Sequence, residues 1–85
     1  MANYSVLIRK SAAKEIEAVP RKDREKIVAK IQGLAANPRP PGSEKLAGDD
    51  KYRFRHGDYR ILYEINDATI VVVIVRVAHR REAYR

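Results

Sequence analysis

Three consecutive strand-like segments, joined by very short turns, occupy the second half of the chain. Lys51–His56 and Tyr59–Asn66 alternate between apolar or aromatic residues and charged ones, as strands with one buried face do. Thr69–Val77 is apolar on both faces, which is typical of a strand inside a sheet. Short turns between neighbouring strands require antiparallel pairing. This half of the chain is therefore predicted to be a β-meander.

A strand and two helices are predicted to precede the meander. Residues 4–8 are β-branched or aromatic in character and predict a first strand. Ser11 is a candidate N-cap for a short helix, and Pro20 suits the first turn of a second helix with an apolar stripe. That helix ends at Asn37, because the residue before a proline is pushed out of the α region. Residues 38–50 are predicted to form a loop.

The predicted element order is β-α-α-β-β-β. Eighty-five residues leave room for one hydrophobic core, so residues 1–85 are predicted to form a single domain. The predicted fold is α+β, with a mostly antiparallel four-stranded sheet and a helical pair on one face. The other face is left to the polar residues of the alternating strands.

The charge of the chain favours an anionic partner. Eighteen Lys and Arg against eleven Asp and Glu give a net charge of +7. The excess is denser in Lys51–Arg85, where all but one of the basic residues are Arg. Arginine recognises phosphate bidentately, whereas a merely soluble surface could use Lys equally well. Nucleic acid is therefore the favoured class of partner.

The arginines of the meander are candidates for holding phosphate. Arg53 and Arg55 share one strand face, roughly 6.6 Å apart, a spacing that suits neighbouring phosphates. Whether Arg60 joins that face depends on the turn length, which the sequence does not fix. The alternative is an ordinary exposed sheet face on which Arg is simply soluble. Arg76 interrupts an apolar strand and is interpreted as structural or as part of a rim.

The C-terminal residues offer further candidates. His79, Arg80 and Arg81 are predicted to return to a sheet edge, where His79 is either a base or a spectator. Tyr84 lies outside any apolar pattern, so burial does not explain it. No metal site or cofactor is expected, because the chain has no cysteine and no carboxylate at ligand spacing from its two histidines. The residues alone thus predict an RNA- or DNA-contacting domain.

A cytoplasmic protein without membrane contact is expected. The N-terminal residues lack the basic segment and apolar core of a signal peptide. The longest apolar run, Ile70–Val75, is far too short to span a bilayer.

Four motifs, in this order along the chain, are similar to those of the RelE/ParE superfamily of toxins, and within it of the RelE-type mRNA endonucleases (mRNA interferases). They are Lys45-Leu46-Ala47-Gly48, Tyr52-Arg53-Phe54-Arg55, Tyr59-Arg60-Ile61-Leu62-Tyr63 and His79-Arg80-Arg81-Glu82-Ala83-Tyr84. The resemblance implies a toxin that a cognate antitoxin neutralises. It also implies a ribosome-dependent, metal-free endoribonuclease that cuts mRNA in the ribosomal A site by attack of the 2′-OH on the adjacent phosphate.

The resemblance also implies roles for individual residues. The implied catalytic residues are Arg53, Arg55, Arg60, Arg80 and Tyr84. Residues assigned to RNA binding are Lys51, His79 and Arg81. Family members often carry lysines where this chain has its first two arginines, and an arginine cannot accept a proton. The base would then come from Tyr84, from His79 or from the ribosome-bound RNA.

Two other functions remain open at the level of sequence. One is a ParE-like protein that inhibits DNA gyrase without catalysing a reaction, since one fold can support both activities. The other is a basic interaction domain with no further activity.

Overall fold

The structure, a computed structural model, describes residues 3–46 and 50–79. In chain order the elements are β1 (Ser5–Ile8), α1 (Lys10–Glu17), α2 (Arg21–Gly33), β2 (Glu44–Lys45), β3 (Lys51–His56), β4 (Tyr59–Asn66) and β5 (Val71–His79). The predicted α+β class is confirmed.

The sheet has five strands in the order β1-β5-β4-β3-β2. β1 pairs with β5 in parallel, and the other three pairs are antiparallel. The prediction of four strands misses β2, which lies within the predicted loop and pairs Glu44 with Arg53. Two residues are too few to produce a periodic signal, so the sequence pattern could not reveal this strand.

Both helices begin at other residues than predicted. Arg9 occupies the N-cap position of α1, so the assignment of Ser11 as N-cap is wrong. The pairing of β1 with β5 extends to Arg9, whose N–H donates to the carbonyl oxygen of Ile74 at 3.0 Å, and the helix starts immediately afterwards. Pro20 is the N-cap residue of α2 rather than a residue of its first turn.

The hydrophobic core lies between the two helices and one face of the sheet. Ile16, Ile27 and Ile31 are buried helical residues, and they form one cluster with Ile61 and Ile74 of the sheet. The opposite side of the sheet, here called the open face, carries no described helix. Neither described helix is long and apolar enough to cross a membrane.

Candidate functional site

A tight hairpin turn sets the geometry of the open face. Gly57 adopts a φ of +56°, the positive value that glycine accommodates best at the first position of a two-residue turn. Arg55 therefore pairs directly with Arg60, and Arg53 pairs with Leu62. Directly paired residues of antiparallel strands point to the same face. Arg60 thus joins Arg53 and Arg55 on the open face, which settles the point that the sequence left open.

The three residues Arg53, Arg55 and Arg60 are here called the arginine cluster. Their neighbours Tyr52, Phe54 and Ile61 point the other way and are buried. Like charges directly opposite each other on paired strands destabilise a sheet. An anion bound between the two guanidinium groups would therefore stabilise the Arg55–Arg60 pair.

A cavity of about 220 Å³ lies beside the arginine cluster. Its lining residues are Leu46, Arg53, Arg60, Leu62, Arg76 and Ala78. Guanidinium groups around apolar side chains suit a phosphate together with the sugar or base attached to it. Arg76, interpreted from the sequence as structural or rim, is thus part of this site.

Glu44 of β2 contacts the arginine cluster. The Nη2 and Nε of Arg53 donate to Glu44 Oε2 at 2.8 and 3.1 Å. This hydrogen bond from Arg53, followed by the charges of Arg53, Arg55 and Arg60, lowers the pKa of Glu44. The site therefore contains an ionised carboxylate at neutral pH. Sequence reasoning missed it because Glu44 lay in the predicted loop, although the neighbouring Lys45-Leu46 motif was a signal.

Lys51 and His79 lie on opposite faces of the sheet. Lys51 pairs with Glu64 and shares the open face with Arg53. His79 pairs with Tyr59, with ring centroids 5.3 Å apart and the rings nearly perpendicular. Both rings line a separate cavity against α1, so the structure does not bring His79 together with the arginine cluster.

Three predicted site residues, Arg80, Arg81 and Tyr84, lie outside the described residues, as does the Ala47-Gly48 part of the first family motif. Within residues 3–46 and 50–79, no group of three or more His, Cys, Asp or Glu side chains could hold a metal ion.

Comparison with known proteins identifies the family. A family model described as the ParE toxin of the type II toxin–antitoxin system parDE matches residues 6–84. Toxin RelE of Mycobacterium tuberculosis is 34% identical over 85 residues, which cover 96% of this chain and 87% of that protein. Toxin RelG of the same organism is 47% identical over 45 residues, a match that spans 53% of this chain and 49% of RelG.

The fold comparison agrees with the sequence comparison. In the crystal structure of the RelBE2 toxin–antitoxin complex from Mycobacterium tuberculosis, one chain matches with a TM-score of 0.79 at 28% identity. The match covers 92% of this chain and 99% of that chain. The family model spans nearly the whole sequence, and its range includes all four motifs. The chain therefore belongs to the RelE/ParE superfamily of toxins from type II toxin–antitoxin systems.

Proposed function

We propose that this protein, a toxin of a RelBE-type toxin–antitoxin module, cleaves mRNA in the A site of the ribosome. The observation that carries the proposal is the arginine cluster. Arg55 and Arg60 are directly paired, and Arg60 lines a cavity in which guanidinium groups lie beside apolar side chains. A protein that needed only a soluble sheet face would gain nothing from paired like charges, which weaken the sheet. A phosphodiester bound against Arg55 and Arg60 would turn this repulsion into attraction.

The proposed reaction is a transesterification within the RNA strand. The 2′-oxygen attacks the adjacent phosphorus, the bond from phosphorus to the 5′-oxygen breaks, and the products are a 2′,3′-cyclic phosphate and a 5′-OH. Negative charge grows on the phosphate oxygens in the transition state. Arg55 and Arg60 supply fixed positive charge where it develops, which is the form of stabilisation that enzymes use most effectively.

The proton of the 2′-OH needs an acceptor, and we assign this role to Glu44. The guanidinium groups cannot accept a proton, His79 lies on the other face of the sheet, and Tyr84 lies outside the described residues. The Glu44 carboxylate can accept a proton and is hydrogen-bonded to Arg53 of the cluster. In the free protein the arginines hold the pKa of Glu44 low, which makes the carboxylate a weak base. A bound phosphate offsets those positive charges, so the pKa of Glu44 rises when the substrate is in place. Protonation of the leaving 5′-oxygen falls to Arg80 or Tyr84, as the family resemblance implies.

The proposal includes the partners of the toxin. A related protein from Mycobacterium tuberculosis was crystallised as a toxin–antitoxin complex, which supports a cognate antitoxin for this chain. The ribosome and its mRNA are the proposed targets, and the cytoplasm, where translation takes place, is the proposed location. The mechanism requires no metal ion and no organic cofactor.

A second candidate function is inhibition of DNA gyrase without catalysis. The description of the matching family model as a ParE toxin is the observation that favours it. Inducible expression followed by primer extension on a reporter mRNA separates the two candidates. Cuts that require translation of the reporter support the nuclease, whereas intact mRNA together with broken or abnormally supercoiled DNA supports gyrase inhibition.

A pair of variants tests the site in the same assay. Arg60→Ala is expected to remove mRNA cleavage while the toxin still binds its antitoxin. Arg21→Ala, a charge-matched change on α2 with an 82% exposed side chain, is expected to cleave like the wild type. Full cleavage by Arg60→Ala would refute the assignment of the arginine cluster.

A further inference from the structure

β5 contains a bulge directly opposite the middle of β4. Leu62 pairs with Arg76 and Tyr63 pairs with Ile74, so Val75 is an extra residue with no partner in β4. In a regular strand, side chains alternate between the two faces. The extra residue inverts this alternation from Arg76 onward.

The bulge decides which residues face the core. With regular alternation Arg76 would share the buried face of Ile74, and burial of an unpaired guanidinium costs several kcal/mol. With the bulge, Arg76 shares the open face with its partner Leu62, and Val77 is buried with 3% of its surface exposed. β-bulges commonly re-aim a side chain beside a functional site. Here the bulge directs Arg76 to the cavity that Arg53 and Arg60 line.

A second contact holds Arg76 from the side of α1. β1 pairs with β5 only as far as Ile74, so the backbone N–H of Val77 has no partner strand on that edge. Glu15 Oε1 accepts a hydrogen bond from this N–H at 2.8 Å. Glu15 Oε2 lies 3.6 Å from Arg76 Nε. One carboxylate therefore fixes both the backbone after the bulge and the guanidinium of Arg76.

We propose that Arg76 is a further phosphate-binding residue of the toxin and that Glu15 is the residue that positions it. This inference rests on the proposed function, since the phosphate belongs to the RNA substrate. Arg76 lies across Leu62 from Arg53, in the row next to the Arg55–Arg60 pair. It binds a phosphate next to the one that Arg55 and Arg60 hold. The effect of Arg76 is therefore on RNA affinity more than on the rate of the chemical step.

The salt dependence of RNA binding tests the role of Arg76. The affinity of the full-length toxin for a single-stranded RNA oligonucleotide is measured over a series of salt concentrations for the wild type, Arg76→Ala and Arg21→Ala. Each phosphate neutralised on a single strand contributes about 0.7 to the slope of log affinity against log salt concentration. We expect Arg76→Ala to reduce the slope by about 0.7 and Arg21→Ala to leave it unchanged. An equal slope for the wild type and Arg76→Ala would overturn the inference.

A double-mutant cycle tests the positioning role of Glu15. Glu15→Gln keeps an oxygen that can accept the hydrogen bond from the Val77 N–H but loses the charge that holds Arg76. We expect Glu15→Gln to weaken RNA binding several-fold in the wild-type background and to have no such effect in the Arg76→Ala background. A fold defect or a general charge effect would appear equally in both backgrounds, and that result would refute the role of Glu15.

These binding measurements do not depend on cleavage, so the two proposals can fail separately. A wild-type toxin that binds RNA with the expected slopes but cuts no mRNA refutes the proposed reaction and leaves Arg76 as a phosphate ligand. If the wild type cleaves mRNA but Arg76→Ala binds RNA with the same salt slope and the same affinity as the wild type, the inference about Arg76 is refuted and the proposed reaction stands. A wild-type toxin that does not bind the free RNA oligonucleotide refutes the inference about Arg76, whereas the proposed cleavage on the ribosome is still decided by primer extension.

Discussion

Replacement of Arg55 by glutamine is expected to stabilise the free toxin while it abolishes activity. Arg55 stands directly opposite Arg60, and it also lines a second cavity together with Lys30 of α2. A like-charged pair in this cross-strand position costs roughly 0.2–1 kcal/mol. Glutamine keeps most of the aliphatic part of the side chain and removes the charge. The free energy of unfolding should therefore rise by up to that amount, because loss of the attraction between Arg55 and the ionised Glu44 offsets part of the gain.

Thermal denaturation at two salt concentrations measures the effect. For a domain of this size, a gain of 0.2–1 kcal/mol corresponds to an increase in Tm of about 1–8 °C. Charges are screened over about 30 Å at 0.01 M salt but over only about 3 Å at 1 M, so the gain should shrink as salt is added. Lys22→Gln, on the exposed surface of α2, gives the same net charge and serves as the control.

Two results would contradict the reasoning. One is an Arg55→Gln toxin that is less stable than the wild type at low salt. The other is a gain that Lys22→Gln reproduces, since this would attribute the effect to net charge rather than to the pair. Cleavage measured on the same samples should be lost in Arg55→Gln and retained in Lys22→Gln.

Three further predictions concern the loop before β2, the proposed base and the dependence on pH. Tyr63→Phe removes a buried hydroxyl that donates to the carbonyl oxygen of Pro38 at 2.8 Å, so it should cost about 1–3 kcal/mol in chemical denaturation. Glu44→Gln should lower mRNA cleavage by about 10²–10⁴-fold without reducing RNA affinity, and unchanged cleavage would exclude Glu44 as the base. The hydrogen bond from Arg39 lowers the pKa of Asp67 below its ordinary value of 3.8. Asp67 therefore contributes stability above pH 3.8 that is lost as the pH falls through its folded-state pKa, and Asp67→Asn should flatten the acid limb of a plot of Tm against pH.

Local sequence patterns predicted most of the sheet and the shared face of two members of the arginine cluster. Alternation and the Gly57 turn identified β3 and β4, and they placed Arg53 and Arg55 on one face, as the structure confirms. The class of fold followed from the order of the elements, because short turns leave few ways to arrange a meander.

The features that the sequence did not predict depend on contacts between distant residues. The face of the sheet on which Arg76 lies depends on the bulge at Val75, and this bulge is recognised only from the pairing of β4 with β5. The position of Glu44 beside Arg53 depends on the pairing of a two-residue strand with β3. His79 was grouped with the arginines because it neighbours them in sequence, whereas its pairing with Tyr59 places it on the helical side. The alternation of side chains between the two faces can be predicted within a regular strand, but the prediction fails beyond a bulge, because the extra residue reverses the alternation.

The parallel pairing of β1 with β5 has a consequence for the synthesis of the toxin. Ser5 pairs with Val71, so the first strand emerges from the ribosome long before its partner exists. The closure of such a distant pair is slow compared with the formation of local hairpins. The hydrogen bond from the Val77 N–H to Glu15 likewise cannot form until β5 has been synthesised. We expect the complete sheet with its arginine cluster to form only after β5 has been synthesised, so the proposed cleavage of mRNA cannot begin before then.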